Sequence, residues 1–242
     1  MTSRMTRPQL FRLALVAVLA LLATTSAGAA SAHVAGKART VKAVQNLAAL
    51  LTTHVAYAKP TTSSKHVALV PPSRPITAER TVLPVIGTSG TWLRVELPGR
   101  PNGHTGWIKT DGTRMQTTNW HIVVTTGSPH VYVYRDGHVV RTFPAIVGKP
   151  TTPTPHGQFF VEESIVLSPS DAGAPYALAL SARSNVFQEF AGGPGQIALH
   201  GLDNIGGVLG TAESHGCVRL ADSDIKWLAW RVGPGVPVTI TR

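Results

Sequence analysis

The chain has 242 residues, 43% of them hydrophobic and 14% charged, with a net charge of +10 at neutral pH. That apolar share excludes a fully disordered chain, and the length admits one or two domains with a buried core. With 23 glycines and 18 prolines, turns are frequent, so short strands and loops should outnumber long helices.

The chain opens with Arg4, Arg7 and Arg12, continues with an unbroken apolar run over residues 13–23, and ends this segment in Ala30, Ser31 and Ala32. This is the layout of a secretory signal peptide over residues 1–32. The apolar run is shorter than the about 20 residues that a membrane-spanning helix requires; an uncleaved anchor is the alternative reading. Without residues 1–32 the net charge falls to +7, because three arginines and no acid leave with them. An exported basic chain meets no nucleic acid routinely, whereas an envelope polymer rich in carboxylates and phosphates suits its charge.

Residues 33–65 are expected to form a linker. Within it Val41, Val44, Leu47, Ala48 and Leu51 recur at helical spacing, which predicts a short amphipathic helix. The string KPTTSSK over residues 59–65 has the composition of a flexible connector. Residues 66–115 are expected to be a small β domain. In it WLRVEL (residues 92–97) alternates, PGRPNG (98–103) turns, and TGWI (105–108) returns. Trp92 and Trp107 are read as core residues rather than ligand platforms. The stretch TWLRVELPGRPNGHTGWI resembles a bacterial SH3-like module, a small β-barrel.

Residues 119–242 stay β-like. HIVV (121–124) and VYVY (131–134) are expected strands, and Asp136-Gly137 makes the tight turn of a hairpin that returns through VVRTF (139–143). PTTPTP (150–155) must be an extended loop. QFFVEE (158–163) resumes a strand. One helix is expected over residues 221–230, capped by Asp222 or Ser223, with Ile225, Leu228 and Ala229 facing inward. Residues 236–240 close with a strand.

Cys217 is the only cysteine, so no internal disulfide can form. A leftover thiol in an exported chain is either buried and inert or reactive. Its surroundings favour reactivity. IALHG (197–201) and SHGCVRL (214–220) put two histidines, the cysteine and an arginine within 20 positions. A thiol attacks as its thiolate, and at a free pKa of about 8.5 it needs a base or a positive charge beside it. His215 lies only two positions away and reaches the sulfur poorly, whereas His200 can approach from an adjacent strand. His200 is therefore the favoured base. The Gly201 carbonyl can orient the His200 ring. The Gly216 and Cys217 amides can face a developing oxyanion. The planar fork of Arg219 suits a substrate carboxylate. Two bland readings stand beside this one: a zinc site on His200, His215 and Cys217, which supplies only three ligands, and a plain salt bridge at Arg219.

The HG pair at 200–201 followed by SHGCVRL resembles the L,D-transpeptidase catalytic signature, with 13 residues between His200 and Ser214, slightly short for that family. GKPTTPTPHGQFFV (148–161) also resembles a loop and strand of the family. The resemblance implies a mainly β protein: an L,D-transpeptidase-type β-sandwich catalytic domain, here preceded by the small SH3-like β-barrel. It implies that Cys217 attacks a tetrapeptide stem after the L-centre of diaminopimelate, releases D-alanine, and passes the acyl group to an amine of a second stem, making a 3→3 cross-link. By the same resemblance His200 is the base, His215 shapes the site, the Gly216 and Cys217 amides form the oxyanion hole, and Arg219 and Ser214 bind substrate. No metal or organic cofactor is implied. The expected partners are peptidoglycan stem peptides and, as inhibitors, carbapenems; the expected location is the cell envelope, and the expected state a monomer. Two alternatives remain: an L,D-carboxypeptidase that passes the same acyl group to water, and a non-catalytic wall-binding protein.

Overall fold

The computed structural model describes residues 41–190 and 192–242. The signal peptide expected over residues 1–32, and the first part of the expected linker, lie outside the described residues.

Seven strands form a first sheet: β1 (Gln45–Leu50), β2 (His54–Tyr57), β3 (His66–Val70), β4 (Val82–Ser89), β5 (Trp92–Glu96), β6 (Thr105–Lys109) and β7 (Thr113–Thr118). Their order is β3-β2-β6-β5-β4-β1-β7, and every pairing is antiparallel. Side chains alternate across a strand. In β5, Leu93 and Val95 are accordingly buried while Arg94 is exposed. The core of this sheet is Leu50, Leu83, Val95, Leu97 and Ile108 with smaller neighbours.

Four sequence expectations change here. Residues 45–50 are a strand, not a helix. β1 lies between β4 and β7, and Leu47, Ala48, Ala49 and Leu50 are all buried. A strand covered on both faces loses its alternation and leaves a continuous apolar run, which a helical pattern also accepts. Residues 59–65 do not link domains; they turn β2 into β3, with Ala58 N–H donating to Lys65 O at 2.9 Å. The sheet therefore spans residues 45–118 rather than 66–115. Trp92 and Trp107 are half-buried and stand outside the core. Trp92 meets Tyr57 edge-on at 5.5 Å and has Lys109 Nζ 5.9 Å from its ring centroid.

The second half builds an eight-stranded sheet. Its elements are β8 (Trp120–Thr125), β9 (His130–Arg135), β10 (His138–Pro144), β11 (Val147–Gly148), β12 (Gly157–Val166), β13 (Tyr176–Arg183), β14 (Gln196–His200), β15 (Ala212–Ser214), β16 (Val218–Arg219), α1 (Asp222–Ala229) and β17 (Pro237–Thr241). The order is β10-β9-β8-β17-β12-β13-β14-β16, with β11 and β15 as a separate parallel pair. The β9–β10 turn has φ of 54° at Asp136 and 79° at Gly137. Both central residues are thus left-handed, as a type I′ hairpin turn demands. In α1, Ile225 and Leu228 are buried against the core and Ala229 is partly buried. Ala221 occupies the cap position without a side-chain bond. The expected cap at Asp222 is not made, because its Oδ1 accepts Leu202 N–H at 2.6 Å instead.

Neighbouring residues of β12 serve two cores. Phe159 packs among Ile122, Val131, Leu178 and Val238, whereas Phe160 packs with Leu83, Val95 and Ile108 of the first sheet. Both rings are about fully buried. The first sheet thus covers one face of β12, and the two sheets belong to one compact unit. Polar bonds continue the junction. Glu162 pairs with Arg74 and, at 3.0 Å, with Arg183. Glu163 Oε2 accepts from Thr77 N–H and Oγ1, both at 2.9 Å. A buried carboxylate needs such partners to be tolerated.

Candidate active site

Parallel pairing of β14 with β16 sets Leu199 opposite Val218 and His200 opposite Arg219. Paired residues share a face, and so do residues two apart. His200, Arg219 and Cys217 therefore turn to the same side, where all three line one small cleft. Phe187, Phe190 and Ile197 give the cleft apolar walls.

His200 is buried, and its Nδ1 lies 2.8 Å from Gly201 O. A carbonyl only accepts, so Nδ1 carries the proton and Nε2 is left as the acceptor. Burial lowers the His200 pKa, the Gly201 bond opposes this, and the Arg219 charge adds to the lowering. Burial raises the Cys217 pKa; a backbone hydrogen bond from Ala198 and the Arg219 charge pull it down. The resting pair is thus a neutral thiol and a neutral imidazole. Such an arrangement can hand a proton from sulfur to nitrogen as the sulfur attacks.

Arg219 is buried, with Nη1 donating to Gly206 O at 3.2 Å and Nε without a partner. No carboxylate pairs with it among the described residues. A guanidinium with donors to spare in a cleft can receive an anion.

The SHGC turn is held together by its own groups. Ser214, expected to bind substrate, is fully buried and its hydroxyl is committed to the turn. It donates to Cys217 O at 2.6 Å and accepts Gly216 N–H at 3.1 Å. The same bond occupies the Gly216 amide, so that amide is not free to face an oxyanion. Gly216 has φ of 125°, a left-handed backbone that favours glycine. His215 is exposed and lines the same cleft, stacked on Phe190 at 6.0 Å, with Phe187 at 6.2 Å. Among the described residues no group of three His, Cys, Asp or Glu is arranged to hold a metal ion.

Several supports were not singled out in the sequence. Thr154 Oγ1 donates to Gly216 O at 2.8 Å, and Thr152 Oγ1 to Ser214 O at 3.2 Å. The loop before β12 thereby cradles the cysteine turn from below. The threonines of PTTPTP were the available signal, hidden because their partners lie 62 positions away. Gly173, at φ 88°, lies against the His200 ring, where a Cβ would collide with the imidazole. Its carbonyl accepts Gly201 N–H at 2.8 Å. Gly201 is hemmed in by Ala174 O and Asp222, so no larger residue fits there either.

The family model of the L,D-transpeptidase catalytic domain, YkuD, matches residues 119–240. The chain belongs to the L,D-transpeptidase catalytic-domain family. It is similar to the L,D-transpeptidase YkuD of Bacillus subtilis, with 32% identity over 129 residues, covering 52% of this chain and 68% of the relative. It is similar to L,D-transpeptidase 1 of Mycobacterium tuberculosis, with 26% identity over 184 residues, covering 61% and 70%. Among solved structures, an Enterococcus faecium L,D-transpeptidase is 27% identical with a TM-score of 0.37, covering 50% of this chain. The match spans about half the length of that structure, 49% of it. The site residues described above lie in the half of the chain that the family model covers.

Proposed function

We propose that the chain is a peptidoglycan L,D-transpeptidase of the cell envelope that works through a thioester on Cys217. The observation that carries this reading is the meeting of the Cys217 thiol, the His200 ring tied down by Gly201, and the unpaired Arg219 in one cleft. Arg219 holds a carboxylate of the donor stem peptide and so registers the scissile carbonyl over the sulfur. Cys217 Sγ attacks that carbonyl while His200 Nε2 takes the thiol proton. The carbonyl oxygen becomes an oxyanion; of the two donors expected, only the Cys217 N–H is carried forward, since Gly216 N–H is bound to Ser214. The carbon–nitrogen bond to the terminal D-alanine breaks, and His200 returns the proton to the departing amine. A side-chain amine of a second stem then attacks the thioester and gives up a proton to His200; the carbon–sulfur bond breaks, and His200 returns that proton to the departing Cys217 sulfur. The product is a 3→3 cross-link.

A strained β-lactam carbonyl meets the same nucleophile, so carbapenems acylate Cys217. The SH3-like module expected over residues 66–115 remains a proposal, its support being the short antiparallel strands of that stretch. Incubation with disaccharide-tetrapeptides and mass analysis tests the reaction: cross-linked dimers are expected, with a Cys217→Ala variant giving none. Tripeptide monomers alone would instead establish water as the acceptor and an L,D-carboxypeptidase. No product and no carbapenem adduct would leave a wall-binding protein.

A further inference from the structure

The aromatic wall of the cleft belongs to residues 184–195, the connection between β13 and β14. Its two ends meet: Ser184 N–H donates to Gly195 O at 2.7 Å. A loop of 12 residues with joined ends is a compact unit packed by its own side chains. This one presents Phe187 and Phe190, 5.4 Å apart, to His215. Ser184, Phe187, Phe190 and Gly195 all line the cleft that holds Cys217.

What holds the neck of this loop comes from the other sheet. The turn between β5 and β6 carries Arg100. Its Nη1 donates to Pro194 O at 2.8 Å, and its Nη2 to Ser184 O at 2.8 Å and Phe187 O at 2.9 Å. One guanidinium therefore binds carbonyls on both arms of the loop. Gly195, at φ 64°, packs so tightly here that a Cβ would strike the Phe187 carbonyl and crowd Arg100 Nη2. Two residues on, Asn102 Nδ2 donates to Arg183 O at 2.7 Å while its Oδ1 accepts Arg183 N–H at 2.8 Å. That reciprocal pair fixes the residue at which β13 ends and the loop begins. Lysine could not do the same work, since an ammonium is a point donor and a guanidinium is a rigid fork.

We propose that Arg100 is a positioning residue for the cleft: the N-terminal sheet sets the place of the Phe187–Phe190 wall by closing the neck of the 184–195 loop. The role assigned to that wall in substrate binding rests on the transpeptidase reading above; the anchoring itself does not. The N-terminal sheet then acts on substrate recognition at the catalytic cleft through three carbonyl oxygens, whether or not it also touches the cell wall.

The test uses the full chain as Arg100→Ala, Arg100→Lys and, as a control on the same sheet, Arg94→Ala, whose side chain bonds only to Thr105. Amide exchange by mass spectrometry is the first readout. Arg100→Ala is expected to speed exchange across residues 184–195 by about ten- to a hundredfold, the loss expected for bonds from a charged donor, with β12 and β13 unchanged. Arg100→Lys should fall between it and the wild type, and Arg94→Ala should match the wild type. Wild-type exchange in residues 184–195 of a folded Arg100→Ala variant would overturn the proposal. Should Arg100→Ala lose protection throughout, Arg100→Lys decides by the same criterion. The second readout is acylation of Cys217 by imipenem: the half-saturating concentration should rise while the limiting rate holds. Failure of the wild type to acylate would sink the chemical reading and leave the exchange result to judge the anchor.

Discussion

The Ser214 hydroxyl donates to the Cys217 carbonyl at 2.6 Å, at the edge of the cleft. The same oxygen receives Gly216 N–H, so one buried side chain satisfies two backbone groups of the turn. Ser214→Ala leaves both without a partner in a fully buried place. The expected cost is about 1–3 kcal/mol of stability, visible as a lowered midpoint in denaturant unfolding. Because the turn sets where the sulfur sits, the limiting rate of carbapenem acylation should fall as well, with the half-saturating concentration little changed. A selective rise in the half-saturating concentration would instead return Ser214 to the substrate-binding role.

Reactivity should follow the neutral thiol–imidazole pair. His200 has a folded pKa below 6.5, lowered chiefly by burial. Its base form is present above that folded value and is lost as pH falls through it. Cys217 is raised, again chiefly by burial, so thiolate gathers only above its usual range. Acylation by a carbapenem should therefore rise on an acid limb below pH 6.5 and run flat through neutrality. Alkylation by iodoacetamide, which needs the thiolate itself, should stay slow at pH 7 and climb steeply only in the alkaline range. A fast, pH-independent alkylation at pH 6 would show a thiolate–imidazolium pair instead. The His200 shift also carries a stability consequence. Protonation favours the unfolded chain, so stability is present above pH 6.5 and declines as pH falls toward the folded value.

Arg219 serves two ends at once. Its free donors await an anion, and its charge lowers both neighbouring pKa values. Arg219→Met should raise the half-saturating stem-peptide concentration by about ten- to a hundredfold, the worth of a charge-assisted pair. It should also move the acid limb of the pH profile to higher pH, because His200 loses a repelling charge. Folding stability should not fall much, since the arginine has no carboxylate to leave unpaired. A variant that binds stem peptide normally would assign Arg219 to structure alone.

Local chemistry in this chain was legible and long-range partnership was not. The Asp136-Gly137 turn, the strands around it and α1 are written in residues that act within a few positions of each other. The cluster of His200, Cys217 and Arg219 was visible as two short motifs, which the parallel pairing of β14 with β16 brings together at an offset of 19 positions. β1 was misread because burial on both faces erases the period that distinguishes strand from helix. The bonds of Ser214 are not readable in the sequence, because residue type does not say which way a hydroxyl points; the turn's own backbone takes it up. Arg100 could not be seen at all, since its acceptors are backbone carbonyls 84 to 94 positions away, and every residue has a carbonyl.

The junction of the two sheets contains a titration that can be isolated. Glu96 is pushed up to about 7 by burial, and its Oε2 has no hydrogen-bond partner. It faces a cavity shared with Lys42, His121 and Thr239. A raised carboxyl pKa means the folded protein binds the proton more tightly than the unfolded chain. Its contribution to stability is present below pH 4.5 and is lost as pH rises through about 7. His121, lowered to about 4 by burial, works in the opposite sense: its contribution is present above pH 6.5 and is lost as pH falls toward 4. The two slopes oppose each other between pH 4.5 and 6.5, so the wild-type curve alone is a poor witness. Glu96→Gln removes one of them. The variant should match the wild type near pH 4.5 and exceed it by about 1–3 kcal/mol at pH 8, where the wild type must hold a charge against the cost of burial. Urea midpoints at half-unit steps of pH read the difference directly. A difference that stays constant with pH would mean that Glu96 remains ionised throughout, with water or Lys42 supplying the partner.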